Sequence, residues 1–239
     1  MRTLIVAAAC LALPLVGTAQ VTDLHADTRG GTLNDRFALG YFMAPRANTA
    51  VQGSVFLLPA WAPGQLMLNG NSKPIEAPLK YDVHNQEVRA QRPNGDSVAV
   101  PVAKVKEFTM AAHRYVCYPA ATLPAEASGG CAEVLADGTY AQLLKFVHKI
   151  IVKQAAQGGG YASNASIDAL ETRTVYYLRW PADGHFTALR LKRASLEQAL
   201  GGQPAALAAL KAQKGNLGSE ADMAAAVQAI DPLLAAPAR

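Results

Sequence analysis

A chain of 239 residues, 51% hydrophobic and 17% charged, holds enough apolar side chain for a core and too little charge for a disordered polyelectrolyte. Its 22 basic and 18 acidic side chains leave a formal charge of +4, spread evenly along the sequence. That balance speaks against nucleic acid or a strongly anionic surface as a partner.

Residues 1–19 read as a signal peptide. Arg2 supplies the positive start, Leu4 to Val16 form an apolar stretch broken by Pro14, and Gly17-Thr18-Ala19 place small residues before a cut at Gln20. About 13 apolar residues are too few to span a bilayer, which takes roughly 20. Cys10 follows small residues as in a lipoprotein signal, but it lies too near Met1 and lacks the leucine three positions earlier. The expected location is therefore export: periplasm, outer-membrane-associated or secreted, with no transmembrane segment after cleavage.

From Gln20 to about Pro45 the composition predicts an irregular arm. Val55–Leu58 reads as a strand stopped by Pro59 and Pro63, and Gln65–Leu68 as another, turned by Asn69-Gly70-Asn71 toward Ile75. The stretch from Leu79 to Met110 alternates, with Tyr81 and Val83 flanking Asp82 and with Val98, Val100 and Val102 two apart. A period of two sends successive side chains to opposite faces of a strand, and Pro93-Asn94-Gly95-Asp96 supplies a tight turn. An antiparallel meander is expected here, with Pro101 at an edge or bulge because proline donates nothing to a ladder.

Tyr115–Tyr118 is followed by a loop over Ala120–Gly130, then by a hairpin of Cys131–Leu135 and Tyr140–Val152 about Asp137-Gly138. The second arm also fits a helix face through Leu143, Leu144, Val147, Ile150 and Ile151; its β-branched residues and the Asp-Gly turn favour a strand. Gln154–Asn164 contains three consecutive glycines without the Lys-Ser/Thr of a phosphate loop and reads as a mobile insertion. Thr174–Trp180 and His185–Leu191 form a further hairpin about Pro181-Ala182-Asp183-Gly184. Beyond Lys192 three helices are predicted: one capped by Ser195, one opening at Pro204 and running through Lys214, and one capped by Ser219 with Asp222 three residues on, reaching about Ile230. The fold class is α+β: a mainly antiparallel β-meander, as a twisted sheet, roll or half-barrel, over residues 20–192, with a short helical tail over 193–239 packed on it.

Few residues point to chemistry. Cys117 and Cys131, the cysteines left after cleavage, suit a disulfide in an exported chain, and no CxxC spacing suggests redox catalysis. His25, His84, His113, His148 and His185 are scattered singly, so no metal site and no cofactor are indicated. Asp82 and His84, two apart on a strand, share a face; a solvated polar face explains them as well as a catalytic pair does. No GxSxG, SxxK or HExxH pattern and no nucleotide fingerprint occurs. Tyr176, Tyr177 and Trp180 are the candidate ligand- or partner-binding face, against the plainer reading of aromatics filling a β-core.

The run GSVFLLPAW, LNG, PLKYDVHNQEV, then VAKVKEF, CAEVLADGTYAQLLKFV and TVYYLRW before a helical tail resembles uncharacterised exported β-rich proteins common in Bacteroidetes. That resemblance implies export and a β-rich body, and assigns no reaction. The expected function is a non-enzymatic envelope or periplasmic protein that binds a partner or scaffolds an assembly. The alternatives are a carrier of a lipid or other apolar ligand in a curved sheet, and a hydrolase with dispersed carboxylates.

Overall fold

The structure, a computed structural model, describes residues 51–127, 130–154, 167–213 and 215–234. The leader expected over 1–19, the arm expected from Gln20 to about Pro45 and nearly all of the triple-glycine insertion lie outside the described residues.

Among the described residues eleven strands form one sheet: β1 Val51–Gln52, β2 Ala62–Leu68, β3 Ile75–Asp82, β4 Glu87–Gln91, β5 Ser97–Pro101, β6 Val105–Met110, β7 His113–Cys117, β8 Cys131–Asp137, β9 Gln142–Gln154, β10 Ile167–Arg179 and β11 Phe186–Leu189. Three short helices follow: α1 Arg193–Ala199, α2 Pro204–Ala212 and α3 Glu220–Ile230. The sheet is open and mostly antiparallel, with strand order β1-β10-β9-β8-β7-β6-β2-β3-β4-β5 and β11 beside β10.

A simple meander does not describe it, on two counts. β1 runs parallel to β10, pairing Val51 with Asp168, so the sheet is mixed. The chain also leaves the meander after β5, passes a 3-10 turn at Val102–Lys104 and returns to pair β6 with the far side of β2. Pro101 ends β5 at the sheet's margin, where its missing N–H deprives no neighbour.

Two sequence expectations shift in register. Val55–Leu58 is no strand; it contributes a single bridge, Phe56 to Asp82, beside the end of β3. β2 begins before Pro63 rather than after it, because Pro63 faces Pro78 and the two missing donors fall on one rung of the ladder. The ambiguous arm is strand β9, paired with β10 from Gln142–Arg179 to Gln154–Ile167.

The β6–β7 turn is unusual. Ala111 and Ala112 both take positive φ, 52° and 65°, in a two-residue hairpin between the paired Met110 and His113. That turn type favours Asn-Gly, since a Cβ crowds the backbone there.

Alternation sorts the core. Leu66, Leu79, Val88, Val100, Phe108 and Met110 bury the inner face of β2–β6, and Phe108 stacks on Tyr115 at 4.7 Å. Tyr81 donates to Gln86 Oε1 at 2.7 Å and accepts the Cys131 amide at 3.0 Å, and burial pushes its phenol well above the usual range. Around Leu143–Phe146 and Val175–Leu178 both faces of the sheet are covered. The helices pack Leu196, Leu210, Met223, Val227 and Ile230 onto Leu143 and Leu178. Phe146, Tyr177, Phe186 and Tyr118 cluster edge-to-face on the other side.

The expected cystine is present. Cys117 and Cys131 are directly paired on β7 and β8, with Cα atoms 3.9 Å apart. The cap of α3 is also as expected: Ser219 Oγ accepts the Asp222 amide at 3.1 Å. Ser195 instead accepts the Arg190 amide from within α1, whose N-cap is Lys192.

Candidate binding site

β10 is thirteen residues long, but its outer side is only partly covered. β1 pairs with Asp168 and Ala169, and β11 with Tyr176 to Arg179. Among the described residues Leu170–Val175 has no strand on that side. Glu171, Thr172, Arg173 and Thr174 are exposed. A stretch of strand edge leaves alternate N–H and C=O groups without a ladder partner.

This open edge runs into a cleft of about 840 Å³ where β11 leaves the sheet for α1. The cleft is lined by Thr174 to Tyr177 and by Ala188 to Lys192 of the adjoining chain, whose Ala188 and Leu189 pair with Tyr177 and Tyr176; Ser195 and Gln198 of α1 and Glu126 complete the lining. Charge of both signs is present, Arg190 and Lys192 against Glu126, with Val175 and Leu191 as apolar ground.

The structure separates the three aromatic residues singled out in the sequence. Tyr176 and Tyr177, being adjacent on a strand, point to opposite faces. Tyr176 lies on the helix side and donates to Glu220 Oε1 at 2.8 Å, while burial and that carboxylate push its phenol up to about 12. Tyr177 is buried on the other face and donates to Glu126 Oε2 at 3.2 Å; burial, with Glu126, likewise raises it to about 12. Trp180 is partly buried against the helix-side core. Tyr176 and Tyr177 both reach the cleft, one from each side of the strand.

A second polar centre carries no motif in the sequence. Glu133, 8% exposed, interrupts the apolar run of β8 on its inward phase. Its carboxylate meets His113 Nδ1 at 2.7 Å and Lys145 Nζ at 3.3 Å, and Lys145 also reaches Glu220 at 3.0 Å. Burial pulls the Lys145 ammonium down, but Glu220 and Glu133 together raise it above its ordinary value. One lysine thus bonds both carboxylates and ties β8 and β9 to α3. The sequence signal available was the charged residue on a buried phase of β8, a demand for a partner.

Asp82 and His84 share a turn but not a proton. Asp82 Oδ1 accepts the backbone amides of His84 and Asn85 at 3.1 and 2.8 Å, and Oδ2 accepts Asn85 Nδ2 at 2.9 Å. The His84 ring turns away to the Lys149 carbonyl at 2.7 Å. His185 stands on the β10–β11 turn, its amide donating to Asp183, and His25 lies outside the described residues. Among the described residues no group of three or more His, Cys, Asp or Glu is placed to hold a metal ion. No described helix is long and apolar enough to cross a membrane.

No protein-family model, curated protein or solved structure matches this chain.

Proposed function

We propose that this is an exported, non-enzymatic protein of the cell envelope or periplasm that holds an extended segment of a partner protein along β10. The observation that carries the reading is the run Leu170–Val175, which no strand among the described residues covers, stopped at one end by β1 and at the other by β11 and leading into the cleft beside Tyr176. An added strand would gain main-chain hydrogen bonds from that edge, and the cleft would select one of its side chains. The flanking strands restrict the guest to a short segment, because a full-length strand in the same lane would run into β1 or β11. Export rests on the leader and on the resemblance to exported β-rich proteins.

The sheet is read as curled toward a half-barrel. Supporting this, the Lys149 amide of β9 donates to the Val83 carbonyl at the end of β3 at 3.4 Å. The carrier alternative has less support, because the apolar faces of the helices are already filled by Leu143 and Leu178.

A photoreactive side chain at position 174 tests the binding reading. Exposed to envelope extract, it is expected to give a discrete adduct, and amides 170–175 are expected to exchange more slowly when that partner is added. Recovery of free protein alone, with unchanged exchange, refutes the reading.

A further inference from the structure

The outer face of β3 and β4 carries two cations side by side. Lys80 and Arg89 are directly paired across the ladder, on the phase opposite the buried Leu79, Tyr81, Val88 and Ala90. Like charges at opposed strand positions repel. Neither residue joins an ion pair among the described residues. Both instead lean on one ring: Lys80 Nζ stands 4.9 Å and the Arg89 guanidinium carbon 5.1 Å from the Phe56 centroid, with Trp61 also 5.2 Å from Lys80.

That ring is firmly seated. The Phe56 amide donates to Ser54 Oγ at 3.2 Å, and its carbonyl accepts Lys149 Nζ at 2.6 Å. The next amide, of Leu57, donates to the Tyr81 carbonyl at 2.8 Å. Arg89 Nε is buried without a partner, which leaves the terminal nitrogens as the donors the guanidinium can offer to a ligand. A fixed platform that holds two unpaired cations together has already met the ordering cost of binding an anion.

We propose that Lys80 and Arg89 bind a phosphate monoester dianion. The guanidinium fork matches two phosphate oxygens and the ammonium supplies a compact second charge, while the dianion removes the repulsion between them. A lipid headgroup and a small soluble phosphate present the same chemistry. The patch on β3–β4 shares no residue with the run Leu170–Val175 or its cleft, so this inference stands independently of the partner-binding reading.

The test uses the full chain at low ionic strength, with inorganic phosphate titrated by calorimetry. In parallel the protein is sedimented with phosphatidylcholine vesicles with and without phosphatidic acid. Binding is expected to weaken about tenfold or more in Arg89→Gln and in Lys80→Gln, and less in Arg89→Lys, which keeps the charge but loses the fork. Lys106→Gln, exposed on β6, is expected to leave binding unchanged. Phosphate binding together with phosphatidic-acid-dependent sedimentation supports the site and admits a lipid source; phosphate binding alone supports it with a soluble one. Absence of both, binding untouched in a correctly folded Arg89→Gln or Lys80→Gln, or an equal loss in Lys106→Gln, overturns the proposal.

Discussion

The carboxylate of Asp231 occupies the space a side chain at position 138 would fill: a Cβ on Gly138 would lie 2.3 Å from Asp231 Oδ1. Through that opening Asp231, 8% exposed at the end of α3, accepts three consecutive amides of the β8–β9 turn, Thr139, Tyr140 and Ala141, each at 2.8 Å. A carboxylate at a helix C-terminus opposes the helix dipole, and the three donors offset this. Asp231→Ala leaves those amides without their acceptor and is expected to lower unfolding free energy by about 3 kcal/mol. Gly138→Ala is expected to be similarly severe, since the Ala141 carbonyl at 2.5 Å also blocks the added methyl. Urea unfolding of both variants measures this; wild-type midpoints would show the clamp to be idle.

The left-handed turn at Ala111-Ala112 offers the opposite sign. Replacing Ala111 by Asn and Ala112 by Gly places residues that tolerate φ of 52° and 65° without changing a packed side chain. The double variant is expected to gain about 1 kcal/mol or more. A lower melting temperature would mean that the alanine methyls make contacts of greater worth than the backbone strain.

Lys145 is the counter-ion of a buried acid, so its loss should be felt more than a surface pair's. Lys145→Met is expected to destabilise by about 3 kcal/mol, because among the described residues Glu133 then stays buried with His113 alone to meet it. Adding Glu133→Gln should restore part of that loss, and a double-mutant cycle reads the difference. Additive effects would show the two charges to be uncoupled.

His148 gives the chain an acid-side weakness. Burial, and then Arg173 opposite it, lower the imidazole below its ordinary 6.5. The folded state therefore resists the proton that the unfolded state accepts, so this contribution to stability is full above pH 6.5 and is lost as pH falls through the depressed value. His148→Gln should flatten the fall in melting temperature below pH 6.5. An unchanged pH profile would assign that fall to other groups.

Local chemistry was readable wherever the partner is near in sequence. Ser219 and Asp222, the Asn94-Gly95 turn, Pro101 at the margin and the strand character of Leu143–Val152 all follow from neighbours within a few positions. The cystine could be inferred because two cysteines remain once residues 1–19 are read as a leader. What escaped depends on distant meetings. Asp137-Gly138 announces a turn, but nothing nearby says that its amides hold a carboxylate some ninety residues later. The spacing of Asp82 and His84 fits a solvated polar face as well as a catalytic pair; in the structure the carboxylate takes the histidine's backbone amide and the ring goes to β9. Tyr176-Tyr177 looked like a cluster, although strand alternation alone divides neighbours between faces. The open edge of β10 is a property of where β1 and β11 end, which no local pattern records.

The pairing of Val51 with Asp168 has a kinetic consequence. The first described strand waits for a docking lane created more than a hundred positions later in the same polypeptide. Contacts so remote are late and slow to form. Docking of Val51–Gln52 therefore follows the formation of β10, and the final slow phase of refolding should be the event that fastens this strand.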